Sequence, residues 1–245
     1  MEDYLLLILV GFIAGIINVV AGGGSLLTLP ILIFLGLPPN IANGTNRIAI
    51  IIQNIFAIKG FQSKGISSYS FSIYLAIPAT IGAILGSLAG VKIEGELFNK
   101  ILGVIMVAVV AYMVFKPKNN SKETLERITG KHFWLSIVVF FMIGLYGGFI
   151  QAGVGFIILL ALSSINHISL VKSNAIKVFV ALVYTLAAVG VFAYNDSINW
   201  MYGLILSFGN ASGGWIMSRW SVDKGDEFIK KVLIIMVLAM AIKLW

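Results

Sequence analysis

The stretch Asn18-Val-Val-Ala-Gly-Gly-Gly-Ser25 breaks an apolar segment with three consecutive glycines, and Gln151-Ala-Gly-Val-Gly155 breaks a second apolar segment later in the chain. Glycines that unwind a helix in lipid leave backbone N–H and C=O groups unpaired. Each such group costs several kcal/mol unless protein or a water-filled cavity satisfies it. Two such breaks at corresponding places therefore predict a binding site built from unwound backbone.

The composition is that of a polytopic all-α membrane protein. Hydrophobic residues make up 59% of the 245 positions and charged residues 11%, whereas about a quarter of an average globular chain is charged. The net charge of +7 comes mostly from short loops between apolar spans, which favours membrane topology over nucleic-acid binding. The first apolar run lacks a basic n-region and is expected to remain in the mature protein. Cysteine is absent, which excludes disulfides and thiolate chemistry.

Ten apolar segments can be read from the sequence, and nearly all favour helices. Eight are long enough to span a bilayer, but 25–37 and 155–166, which directly follow the breaks, cover only about 20 Å as helices. We favour re-entrant hairpins for these two, although ten full crossings fit the same parity. The segments are 4–20, 25–37, 44–62, 69–91, 97–115, 132–150, 155–166, 173–193, 198–218 and 227–244.

The chain divides into two halves that resemble each other. A polar stretch over 116–131 is predicted to be a cytoplasmic linker between a first membrane repeat, 1–115, and a second, 132–245. Gly11 and Gly15 align with Gly144 and Gly148, which puts Asn18 on Gln151 and Gly22 on Gly155. Each half crosses an odd number of times, so the second repeat is predicted to be inverted, with both termini outside the cytoplasmic membrane.

Catalytic chemistry is not expected. All ten carboxylates lie in loops or at segment ends, so neither a paired-carboxylate protease nor a buried proton relay is indicated. His132 and His167 are interpreted as interfacial residues rather than metal ligands. We expect no enzyme activity, metal site or cofactor, and a membrane-embedded enzyme is the least favoured alternative.

Arg47 and Lys177 lie inside apolar segments at corresponding positions, where a central charge costs about 2.5–3.5 kcal/mol. Each alone could extend to the headgroups, but the pairing favours an anion site. A short helix beginning at Ser25 would direct its free N–H groups towards the break, with Ser25 as its cap. Thr45 and Asn46 could add donors.

Amides and small residues complete the candidate set. Asn18 and Gln151 precede the breaks and could donate to a ligand or satisfy unwound carbonyls, with the two roles about equally plausible. Tyr146, Tyr184 and Asn54 are weaker candidates. The spacing of Gly82, Gly86 and Gly90 is instead typical of close helix packing.

These residues resemble a known family. Gly11-Phe-Ile-Ala-Gly15, Ala21-Gly-Gly-Gly-Ser-Leu-Leu-Thr-Leu-Pro30 and Ala42-Asn-Gly-Thr-Asn-Arg47 look like the TauE/SafE family of sulfite exporters and related anion permeases. The second-half counterparts are Gly147-Gly-Phe-Ile-Gln-Ala-Gly-Val-Gly155 and Lys172-Ser-Asn-Ala-Ile-Lys177. The resemblance implies a bacterial or archaeal cytoplasmic-membrane protein that moves sulfite, sulfonates or other small sulfur-containing or carboxylate anions.

The sequence hypothesis is thus a secondary transporter of small anions with alternating access around a midplane site. An anion-selective channel and a carrier of small organic carboxylates are the alternatives. The expected partners are the small anionic substrate and the lipid bilayer, without nucleic acid, and a homodimer stays open. The candidate substrate-binding residues are Asn18, Gly22, Gly23, Gly24, Ser25, Thr45, Asn46, Arg47, Gln151, Gly153, Gly155, Asn174 and Lys177.

Overall fold

The computed structural model describes residues 2–67, 69–93, 95–104 and 125–243. The predicted apolar segment 97–115 is therefore described only as far as residue 104. The predicted linker is described only from residue 125 onward. The rest of these two segments lies outside the described residues.

The described chain is helical and contains no strand, which confirms the all-α class. Four of its helices are long and apolar enough to cross a membrane: Glu2–Ala21, Ser70–Gly90, Gly130–Phe149 and Leu170–Tyr194. In the described ranges the helices are α1 (Glu2–Ala21), α2 (Ser25–Phe34), α3 (Pro39–Gln62), α4 (Tyr69–Gly90), α5 (described over 95–104), α6 (Gly130–Phe149), α7 (Val154–Ile165), α8 (Leu170–Tyr194) and α9 (Trp200–Lys243).

A glycine also divides α9. Gly225 has φ 72° and ψ −174°, which no α-helix accommodates, so the helical residues before and after it form two pieces. These pieces match the predicted segments 198–218 and 227–244. The order of helices from α1 to α5 therefore recurs from α6 to the end of α9, with a short helix in second place each time.

The short helices α2 and α7 each fold back along the helix before them. Gly24, at the start of α2, packs against Ala14 and Asn18 of α1. In the second half, Gly147 of α6 packs against Val154 at the start of α7. Because each chain reversal occurs at a glycine break, both breaks form the tips of antiparallel helical hairpins.

Small residues bring the halves into close contact. Helix α1 lies parallel to α9, and α6 lies parallel to α4, with glycines of each helix against the backbone of the other. A Cβ at Gly82, Gly86 or Gly90 would collide with a backbone carbonyl of α6, which confirms that these glycines serve close packing. Helices α3 and α8 contact each other between these pairs.

Candidate functional site

The two glycine breaks meet inside the molecule. Gly22 has φ +74°, and a Cβ on it would collide with the backbone of Gly155 and Phe156. Gly153, in the other break, has φ +69°. Both left-handed conformations favour glycine. The structure thus brings the two hairpin tips into direct backbone contact.

Lys177 of α8 binds the C-terminal end of α1. Its Nζ lies 2.8 Å from the Asn18 carbonyl oxygen and 2.7 Å from that of Val19. The third oxygen, Asn174 Oδ1, lies 2.6 Å from Nζ. Three acceptors match the three N–H groups of an ammonium. The lysine therefore binds two carbonyls in the last turn of α1, at the negative end of the helix dipole, and shares the Asn18 oxygen with the N–H of Gly22.

Arg47 of α3 binds the C-terminal end of α6 in the same way. Its Nη1 donates to the Gly147 carbonyl oxygen and to Gln151 Oε1, both at 2.9 Å. Its Nη2 donates to the Gly148 carbonyl oxygen at 2.6 Å and to Asn43 Oδ1 at 3.3 Å. Each buried cation therefore caps the hairpin helix of the opposite half of the chain.

Neither cation reaches the surface or a carboxylate. Arg47 is 0% and Lys177 3% exposed, which excludes extension to the headgroups. Within the described ranges, every ion pair lies outside this site: Lys64–Asp223, Lys100–Glu96 and Lys172–Glu126. Two buried basic side chains thus stand at the hairpin tips without an anionic partner from the described chain.

The two candidate amides bind the long helix of their own half. Asn18 Nδ2 lies 3.1 Å from Gln53 Oε1 on α3, and Gln151 Nε2 lies 2.8 Å from Thr185 Oγ1 on α8. Gln151 also approaches the Tyr184 hydroxyl at 3.5 Å. Gln53 and Thr185 were missed by sequence reasoning, although each is a polar residue about two turns beyond the basic residue of its helix.

Asn18 and Gln151 differ in their secondary structure. Asn18 lies in the last turn of α1, whereas Gln151 lies within the second break, after α6 has ended at Phe149. This difference arises because α6 ends earlier relative to its glycines than α1 does, and the second break starts with the extended residue Ile150. The equivalence of the two positions in a repeat stays a prediction.

Two other candidates have roles that differ from expectation. Ser25 is the first residue of α2 and not its cap, because the N-cap is Gly24, which adopts helical dihedrals and leaves no side chain to accept a hydrogen bond. Thr45 binds the chain at the start of α9. Its Oγ1 accepts a hydrogen bond from the Asn199 N–H at 2.8 Å, at the start of α9.

Hydrogen-bond donors without acceptors accumulate near the tips. Among the described residues, four buried side-chain donors have no partner, against one acceptor, Asn210 Oδ1. In the same part of the chain, the backbone N–H groups of Gly23 and Gly24 donate to no acceptor. The Asn174 amide is oriented unambiguously, because its oxygen faces the donor-only Lys177. The four donors are Asn46 Nδ2, Arg47 Nε, Asn54 Nδ2 and Asn174 Nδ2.

Comparison with known proteins identifies the family. Residues 7–244 match the family described as sulfite exporter TauE/SafE. The chain belongs to the TauE/SafE family. This confirms the resemblance seen in the glycine motifs, and it makes the chain a membrane transporter by family.

Similar TauE/SafE relatives cover nearly the whole chain. A "probable membrane transporter protein ORF9" of a Sinorhizobium species is 29% identical over 97% of this chain and 90% of its own length. A "probable membrane transporter protein" of Haemophilus influenzae is 29% identical over 98% of this chain and 93% of its own. The "probable membrane transporter protein YfcA" of Escherichia coli K12 is 25% identical over 97% and 88%. No solved structure gives a significant match.

Proposed function

We propose that this TauE/SafE protein is a secondary transporter of small anions, with sulfite, sulfonates and related sulfur-containing anions as the leading substrates. The observation that carries the proposal is the pair of buried cations, Arg47 and Lys177, at hairpin tips that meet at Gly22 and Gly155. Burying a charge without a partner is costly, and a bound anion would supply the missing charge.

The excess of donors supports an anion over a cation or a neutral solute. An oxyanion carries only acceptor oxygens, and the unpaired buried groups near the tips are mostly N–H groups. Helix α2 and helix α7 both begin at the tips, where their free N–H groups and positive dipole ends favour an anion. The proposed site combines these N–H groups with the amides of Asn46 and Asn174. Thr45 is left out, because its oxygen is already bound to α9.

The proposed architecture is a pair of inverted repeats, 1–115 and 132–245, joined by a cytoplasmic linker over 116–131. The recurring order of helices and the exchange of packing partners support this: α1 lies along α9 of the other half, and α6 along α4. The two hairpins would enter the membrane from opposite sides and meet near its midplane. Both termini would then lie outside the cell membrane.

Reciprocal capping suggests how the site could alternate its access. Arg47 belongs to the first half and holds the second hairpin, while Lys177 belongs to the second half and holds the first hairpin. A rocking motion of one half against the other would move each cation relative to the carbonyls it binds. An anion at the tips could take over these contacts during the exchange, which would couple binding to the motion.

Counterflow in proteoliposomes tests the proposal. Vesicles loaded with unlabelled sulfite should accumulate labelled sulfite transiently and with saturation, because a carrier exchanges substrate across the membrane. An ohmic flux without exchange would establish the channel alternative instead. Sulfate, thiosulfate, sulfonates and small carboxylates as competitors would define the anion class. Transport of cations or neutral solutes alone would refute the proposal.

Lys177→Gln tests whether the buried charge serves the anion. Glutamine keeps donors for the Asn18 and Val19 carbonyls but removes the charge. We expect the KM for the anion to rise roughly 10- to 100-fold, because the positive charge beside the bound anion is lost. Lys92→Gln, at an exposed position after α4, is the matched control and should leave KM unchanged. An unchanged KM in Lys177→Gln would show that the lysine only caps α1.

A further inference from the structure

A groove on the outer face of the helical bundle has the shape and charge of a lipid site. It has a volume of about 530 Å³ and lies between one face of α3 and one face of α9. Its walls are mainly apolar, and Phe208, Leu204 and Phe56 are 73%, 48% and 42% exposed. Along α9 the lining runs from Leu204 to Trp215, a length of roughly 16 Å at the helical rise per residue. That length suits an acyl chain.

One end of the groove carries positive charge. Lys59 lines it, and the Arg219 guanidinium lies 5.5 Å from the centre of the Trp215 ring, which also lines it. Gly60 packs directly against Ser218, so the neighbouring Lys59 and Arg219 project from the same crossing of α3 and α9. In the described ranges neither cation has an ion pair, and no carboxylate lines the groove.

From this geometry we infer that the α3–α9 groove binds an anionic phospholipid, with one acyl chain along the groove and the headgroup phosphate at Lys59 and Arg219. The two positive charges favour a headgroup with a net negative charge over a zwitterionic headgroup, whose own cation would be repelled. Indole rings such as Trp215 are common at the level of the headgroups. Anionic lipids give the cytoplasmic leaflet a negative surface potential, and the basic residues of membrane proteins are concentrated on the same side. The inference does not depend on the transported substrate.

Native mass spectrometry of the purified full chain with phosphatidylglycerol and phosphatidylcholine tests this site. The unaltered protein should retain one phosphatidylglycerol per chain in preference to phosphatidylcholine. In the double variant Lys59→Gln/Arg219→Gln, the apparent affinity for phosphatidylglycerol should fall by roughly fivefold for each charge removed. The matched control Lys92→Gln/Lys131→Gln removes two exposed charges elsewhere and should keep the affinity within twofold.

A second variant tests the groove itself. Ser212 lines the groove and is exposed, so Ser212→Trp should fill it without changing the charge. Retention of both lipids should then decrease. Equal retention of the two lipids by the unaltered protein would overturn the inference, as would an equal loss in the control double variant. A lipid-free dimer that Ser212→Trp dissociates would instead assign the groove to a second copy of the chain.

Discussion

Each hairpin tip is bound by a buried cation from the opposite half of the chain, but the two cations make different numbers of hydrogen bonds. At the first tip, Lys177 holds two carbonyls of α1 with a compact ammonium group. At the second, Arg47 holds two carbonyls of α6 and also Gln151, with its guanidinium 4.6 Å from the centre of the Phe192 ring. The second tip is therefore bound by more contacts, and these contacts have a fixed planar geometry.

The difference follows from the breaks themselves. The first break is short, and three glycines turn the chain directly from α1 into α2. The second break begins with extended backbone at Ile150 and places Gln151 inside the turn. More unwound backbone needs more donors, and arginine supplies five N–H groups where lysine supplies three. We therefore expect the second tip to be the more sensitive to loss of its cation.

Removal of the cations should give the largest effects. Arg47→Met leaves several buried oxygens of the second tip without donors and should lower the free energy of unfolding in detergent by about 3–5 kcal/mol, since each unsatisfied buried acceptor costs about 1–3 kcal/mol. Lys177→Met should cost less, because fewer oxygens lose a donor. Thermal denaturation of both variants measures the order. An equal or larger loss in Lys177→Met would contradict the proposed asymmetry.

Disruption of the contact between the two tips should give the next largest loss of stability. Gly22→Ala introduces a Cβ at φ +74° and against the backbone of Gly155, and should cost about 2–4 kcal/mol from strain and overpacking together. Gly65→Ala is a control with the same φ and no atom within 4 Å, and should cost only about 1 kcal/mol. Equal losses in unfolding experiments would show that backbone strain alone matters and that the tips do not press on each other.

Loss of the amide at each tip should give smaller losses of stability, with the larger loss at the second tip. Gln151→Leu removes a link between Arg47 and Thr185 and should lower stability by about 1–3 kcal/mol, because it leaves buried partners unsatisfied. Asn18→Leu removes one hydrogen bond, to Gln53, and should cost about 1 kcal/mol. The midpoints of denaturation of the two variants show which loses more stability. A larger loss in Asn18→Leu than in Gln151→Leu would contradict the expected difference between the tips.

The smallest loss of stability is expected at the start of α8, which has a side-chain cap that the start of α3 lacks. The N-cap of α8 is Ser169, which accepts the N–H of Lys172, and Asp226 adds a second cap by accepting the N–H groups of Leu170 and Val171 at 2.8 and 2.9 Å. Helix α3 instead begins at Pro39 without a side-chain cap. Asp226→Ala should therefore cost about 1 kcal/mol, as is typical of a lost cap. Asp226→Asn keeps an acceptor oxygen and should fall between this variant and the unaltered protein. No loss in Asp226→Ala would show that water replaces the cap.

The sequence predicted the features that local composition controls. The breaks, the two short helices and the close packing at Gly82, Gly86 and Gly90 follow from glycine spacing and hydropathy. The family also follows from such motifs. The positions of Arg47 and Lys177 inside apolar segments correctly indicated buried cations.

Contacts between distant segments could not be predicted in this way. The carbonyls bound by Arg47 and Lys177 belong to the opposite half, and no local signal specifies such partners. The hydrogen bond of Thr45 to the start of α9 could not be predicted for the same reason. The different secondary structure at Asn18 and Gln151 was not predicted either, because the sequence does not show at which residue each helix ends.

Calorimetric titration of the purified protein with sulfite shows whether the two hairpin tips form one anion site. If the two touching tips form one site, one anion should bind per chain, and Asn46→Ala in the first half and Asn174→Ala in the second should each weaken binding roughly 10-fold or more. Asn195→Ala, at the exposed end of α8, is the control and should bind as the unaltered protein does. Two independent sites per chain, or binding that neither Asn46→Ala nor Asn174→Ala changes, would show that the tips do not form a shared anion site.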